Sequence, residues 1–119
     1  MAIEIPGVNV NTGLDLCDGS MDIYLRFLRL YVSSMPPALD KMRNVSKETL
    51  HEYTVAVHGV KGISETIAAE EVVKTAKELE AIAKSGDLDG VLAKNTTFIK
   101  HTENLVNGIQ SWLEKNDKN

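Results

Sequence analysis

The sequence predicts an all-α fold, an up-down antiparallel four-helix bundle with a short extra N-terminal helix. Three observations carry this. Apolar residues recur at i+3 and i+4 along four long stretches, the period of a helix with one buried stripe. Short polar connections join those stretches, which makes consecutive helices antiparallel neighbours. No segment shows the strict alternation of a half-buried strand.

Residues 1–10, with Pro6 and Gly7, read as an extended lead-in. A short helix follows over about 11–17, with Asn11 as its candidate cap. Ser20 can cap a longer helix whose inward positions are Tyr24, Phe27, Leu28, Tyr31 and Met35. Pro36-Pro37 removes two amide donors and predicts a kink or restart there, with Leu39 and Met42 keeping the period beyond it. After a turn at Asn44-Val45, Ser46 is the expected cap of the third helix, with Glu48 in its first turn. That helix runs to about Thr66 and turns Leu50, Tyr53, Val57, Val60, Ser64 and Ile67 inward.

The fourth helix is expected over about 69–84, burying Val72, Val73, Ala76, Leu79 and Ala83. Glu70 with Lys74, and Glu80 with Lys84, read as surface pairs each worth a few tenths of a kcal/mol. Gly86 ends it and Asp87 caps the next. The last helix is long, and its inward face includes Leu88, Val91, Leu92, Asn95, Phe98, Ile109 and Leu113. Residues 115–119 read as a polar tail. The whole of 1–119 is expected to be a single domain.

Composition excludes several function classes. The net charge of −4 and the lack of a basic face argue against general nucleic-acid binding. No apolar run approaches the ~18 residues of a membrane span, and no direct membrane contact is expected. Neither a signal peptide nor a cysteine pair is present, so the expected setting is cytoplasmic, and Cys17 reads as packed. Gly-rich phosphate loops are missing, so intrinsic kinase activity is not expected. Glu-x-x-His pairs are missing too, so no metal site is expected.

The informative stretch is Val57-His58-Gly59-Val60-Lys61-Gly62. With ~100° per residue, His58, Lys61, Gly62 and Glu65 gather opposite the apolar stripe, with His51, Thr54 and Val55 a turn or two below. An exposed imidazole titrates near neutrality and can act as a nucleophile. Lys61, one turn along, can reach phosphate oxygens as a mobile point charge. Gly62 costs ~1 kcal/mol relative to alanine inside a helix, which suggests that bare backbone is needed for close approach.

His58-Gly-Val-Lys61-Gly62 resembles the His-x-x-Lys-Gly core of histidine-containing phosphotransfer (HPt) domains. Gly13-Leu14-Asp15-Leu16 with Met21-Asp22-Ile23-Tyr24, and Ala76-Lys77-Glu78-Leu79-Glu80, are similar to the flanking segments of that family. The resemblance implies a phosphorelay carrier rather than an enzyme. His58 would be the phosphoacceptor, Lys61 the phosphate support and Gly62 the point of close approach. His51, Thr54, Val55 and Glu65 would form the docking surface. The implied partner is the receiver domain of a response regulator or hybrid sensor histidine kinase, which would bring the magnesium. No cofactor is implied on this chain. It would work either free-standing or within a larger membrane-anchored sensor kinase. After Lys-Gly the family usually has small residues and then Asn-Ile-Gly-Ala; here Glu65 stands where a small residue is usual, and Thr66 and Ala68 replace the asparagine and the turn glycine. The alternative function is a non-phosphorylated helical adaptor that binds receiver domains.

Overall fold

The structure is a computed structural model that describes residues 4–116. Among these residues lie five helices: α1 Val10–Leu16, α2 Met21–Asp40, α3 Leu50–Thr66, α4 Glu70–Lys84 and α5 Leu88–Asn116. Helix α2 packs on α3 and α5, and α4 packs on the same two, so the four long helices close a ring around one core. Helix α1 leans on α2 at Gly13, where an added Cβ would overlap the Tyr24 ring. At ~1.5 Å per residue, α5 alone runs nearly the 47 Å length of the molecule.

Buried tyrosines tie the ring together at polar points. Tyr24 donates to the Ile67 carbonyl at 3.0 Å, and the Tyr31 hydroxyl pairs with Ser64 Oγ at 2.9 Å. Tyr53 donates to Asn95 Oδ1 at 2.8 Å, and Asn95 Nδ2 donates to the Met42 carbonyl at 2.8 Å. Burial pushes the Tyr31 hydroxyl up to about 12, so it stays a neutral hydrogen-bonding group. Each bond nets about 1 kcal/mol, and losing one partner costs more because the other is left buried and unpaired. These bonds link α2 to α3, α3 to α5, and α5 to the segment after α2, which fixes where α3 sits.

Several boundaries differ from the sequence expectation. Asn9, not Asn11, caps α1, accepting from the Thr12 amide at 3.1 Å. The lead-in is not simply extended: Ile5 and Val8 bridge across Pro6-Gly7, and Ile5 is buried; residues 1–3 lie outside the described residues. Helix α2 passes through Pro36 and Pro37 without interruption, because both rings face water and water can replace the lost amides. Ser46 does not cap α3. Its amide donates to Thr49 Oγ1 in a turn that also holds Glu48, and the helix starts at Leu50 with Glu52 in its first turn.

Glu70 accepts from Asn9 Nδ2 at 3.3 Å. Leu92 is exposed because it lies at the edge of the α5 stripe, about five turns from and in register with exposed Gln110. Lys115 and Asn116 belong to α5 rather than to a tail, and 117–119 lie outside the described residues. Ser20 and Asp87 do cap: Ser20 accepts from the Ile23 amide and Asp87 from the Gly90 amide.

The joint between α3 and α4 carries the clearest backbone strain. Ala68 has φ +60, where an L-residue costs ~1–2 kcal/mol. The conformation lets the Ala68 amide reach the Glu65 carbonyl and the Ala69 amide the Ser64 carbonyl, the paired bonds that close a helix end. Glycine is at ease there, so Ala68→Gly should stabilise the fold by roughly 0.5–1 kcal/mol after the entropy of the unfolded chain is counted. Urea unfolding checks this, with a higher midpoint and an unchanged slope as the expected result.

Candidate functional site

Helix α3 buries Tyr53, Val57, Val60 and Ser64, so the opposite side faces out. His58 lies on that side with its side chain 65% exposed. Across from it, α4 buries Ala76, Leu79 and Ala83, and the same stripe contains Glu80. A carboxylate at a core position must be paired or neutral. Glu80, only 7% exposed in its side chain, is paired on both oxygens. Oε2 takes His58 Nδ1 at 2.7 Å, and Oε1 takes Lys61 Nζ at 2.8 Å. Lys84 Nζ lies 3.4 Å from Oε2.

The hydrogen bond from Lys61 is the main cause that holds the Glu80 carboxyl down at about 2; desolvation works against it, and His58 and Lys84 add to it. Glu80 is therefore ionised at neutral pH, and an ionised carboxylate only accepts. Nδ1 must be the donor, so in the neutral ring Nε2 carries the lone pair.

Lys61 is not the mobile charge that helical spacing alone suggests. It is mostly covered and anchored to Glu80. Gly62 is exposed, with open space where a Cβ would be, and the same is true of Gly59. His51, Val55 and Glu65 are exposed along the same outward side. Thr54 is half-buried and donates to the Leu50 carbonyl at 2.9 Å. Measured around α3 from His58, Lys61 lies ~60° to the α4 side, whereas Gly62, Val55 and Gly59 lie ~40–100° the other way. One flank of the histidine is filled by charge and the other is bare.

Glu80 differs from the sequence expectation: its spacing to Lys84 reads as half of a surface pair, whereas the structure buries it against α3. The signal was present: Ala76, Leu79, Glu80 and Ala83 follow one helical stripe, and an acid there calls for a cation from a neighbouring helix. The Cys17 thiol is buried and pushed up by that burial, which leaves it a poor nucleophile. Among the described residues no group of three or more His, Cys, Asp or Glu side chains could hold a metal ion. No described helix is long and apolar enough to cross a membrane.

The depressed Glu80 carboxyl fixes a sign for acid stability. Its pairing stabilises the fold fully above about pH 4.5, and the contribution is lost as pH falls towards about 2. Glu80→Gln should cost on the order of 1–2 kcal/mol at neutral pH and flatten the stability profile over that acid window. Urea titrations of parent and variant between pH 2 and 7 check it.

Comparison with curated proteins and with solved structures gives no significant match. The family description "Hpt domain" matches residues 26–112, a span that contains His58, Lys61, Gly62, Glu80 and Lys84. Hpt domains are phosphocarriers rather than kinases, and they interact with receiver domains. The match spans most of the chain and takes in all of α3 and α4, with the histidine face, and most of α2 and α5, so the chain belongs to the Hpt domain family of two-component phosphotransfer.

Proposed function

We propose that the chain is a single phosphorelay domain, with α2–α5 running up and down, that carries a phosphoryl group on His58 Nε2. The observation that carries this reading is the outward ring held by its inner nitrogen on a buried, ionised Glu80. Nε2 attacks the phosphorus of an aspartyl phosphate on a receiver domain. The Nε2–P bond forms, the P–O bond to the aspartate breaks, and the carboxylate leaves with the electron pair. The Nδ1 proton stays between the ring and Glu80, whose negative charge offsets the positive charge the ring gains. Transfer to a second receiver is the reverse sequence. Positioning and charge neutralisation supply the catalysis, as in phosphoryl transfer generally. Lys61 keeps two further N–H donors and supports the phosphoryl group while holding Glu80. The setting belonging to this reading is the cytoplasm, where the chain acts alone or within a larger sensor kinase.

Docking is proposed on the bare flank. The α2 side bearing Pro36 and Leu39 adjoins α5 across a groove shared with Lys100 and Glu103. Ile23, Phe27 and Leu30 lie on the other side of α2, towards α3. Ile23, Leu30 and Val55 are exposed large apolar residues, and Gly59 and Gly62 lie on the same flank. A receiver resting there covers apolar surface and reaches Nε2 without displacing the charged cluster. His51, Thr54 and Glu65 border this surface.

Two outcomes test the reading. Incubation with a phosphorylated receiver and magnesium should give an acid-labile, base-stable phosphoprotein, and His58→Gln should lose the label while keeping its helical content and melting behaviour. Label retained in that variant moves the acceptor elsewhere, and binding without any label favours the adaptor. Gly62→Val should fold at least as stably, since the site is open and glycine is the poorer helix former, yet it should slow transfer at least tenfold, about 1.4 kcal/mol of barrier. Transfer at the parental rate would place docking on another face.

A further inference from the structure

The two lysines on Glu80 are held differently. Lys61 makes a short bond to its own oxygen and is largely covered, 21% exposed. Lys84 lies 3.4 Å from Oε2, beyond the usual N–H···O range of ~2.7–3.2 Å, and its side chain is 64% exposed. That contact is an ion pair open to water, and it costs little to give up. Oε2 is also the oxygen that takes His58 Nδ1. The Lys84 ammonium is therefore no farther from Nδ1 than the two distances laid end to end, about 6 Å. Its four-carbon stem can swing through that range.

We propose that Lys84 is a second phosphoryl-binding cation: once Nε2 is phosphorylated, its ammonium leaves Glu80 Oε2 for a phosphoryl oxygen. This rests on His58 being the acceptor. Before transfer, a single carboxylate charge is shared by two ammonium groups and an imidazole N–H. A phosphoryl group brings about −1.5 to −2 of charge and three acceptor oxygens to the same few ångströms. Glu80 stays satisfied without Lys84, because Lys61 holds one oxygen and Nδ1–H the other. The weakest-held cation therefore moves to the new and larger charge, and no buried group is left unpaired. No covalent bond changes beyond the Nε2–P exchange already described.

The test uses the full chain phosphorylated by phosphoramidate and followed by ³¹P NMR against pH, in the parent, Lys84→Gln, Lys84→Arg and His58→Gln. An ammonium on the phosphoryl group favours its dianion. Lys84→Gln should raise the midpoint of the phosphoryl titration by roughly half a pH unit, the size of an exposed pair. Lys84→Arg should restore it, and ~1 M salt should erase the difference. A role confined to the fold would not move this midpoint. Parental titration in Lys84→Gln at low salt overturns the proposal and leaves His58 as acceptor. The absence of any His58-dependent signal, from phosphoramidate and phosphorylated receivers alike, overturns both.

Discussion

Glu80 holds a negative charge at a position where α4 otherwise buries alanine and leucine, and the rest of the site depends on how that charge is met. Its partners come mainly from α3, so the carboxylate couples the two helices beside His58. An unpaired acid there would be strongly destabilising. The demand for pairing commits Lys61, turns the imidazole so that Nδ1 faces inward, and leaves Nε2 on the outer side of the ring. A histidine that is mostly exposed thereby acquires an orientation that exposure alone would not give it.

The same pairing makes the surroundings of His58 asymmetric. Charge and the α4 wall occupy one flank, and two glycines and exposed apolar side chains occupy the other. Each glycine costs α3 about 1 kcal/mol relative to alanine. The helix tolerates this because Tyr31, Tyr53 and Ser64 anchor its inner side to α2 and α5 through buried hydrogen bonds. Stability is supplied from the core, and the outer surface at Gly59 and Gly62 is left open.

Much of this was legible in the sequence. The helix period of α3 separates His58 from Tyr53, Val57, Val60 and Ser64, and the structure keeps that division. The fold class follows from similar stripes in α2, α4 and α5. Local signals read less well where tertiary contacts decide: Ser46 and Asn11 are good capping residues, yet Thr49 and Asn9 stand at the helix starts. The proline pair failed to break α2 because both rings face water. Glu80 was hidden for a different reason. Its i,i+4 neighbour Lys84 gave it a sufficient local partner, whereas His58 and Lys61 meet it only once α3 and α4 are packed.

The account stands on which nitrogen of His58 carries the proton. Nitrogen-15 NMR of the imidazole, in parent and Glu80→Gln chains at a pH where the ring is neutral, reads this directly. The parent should show a single tautomer protonated on Nδ1 with Nε2 bare, and the variant should shift towards a mixture. A parent ring protonated on Nε2 would contradict the account, because the atom assigned to attack phosphorus would have no lone pair to offer.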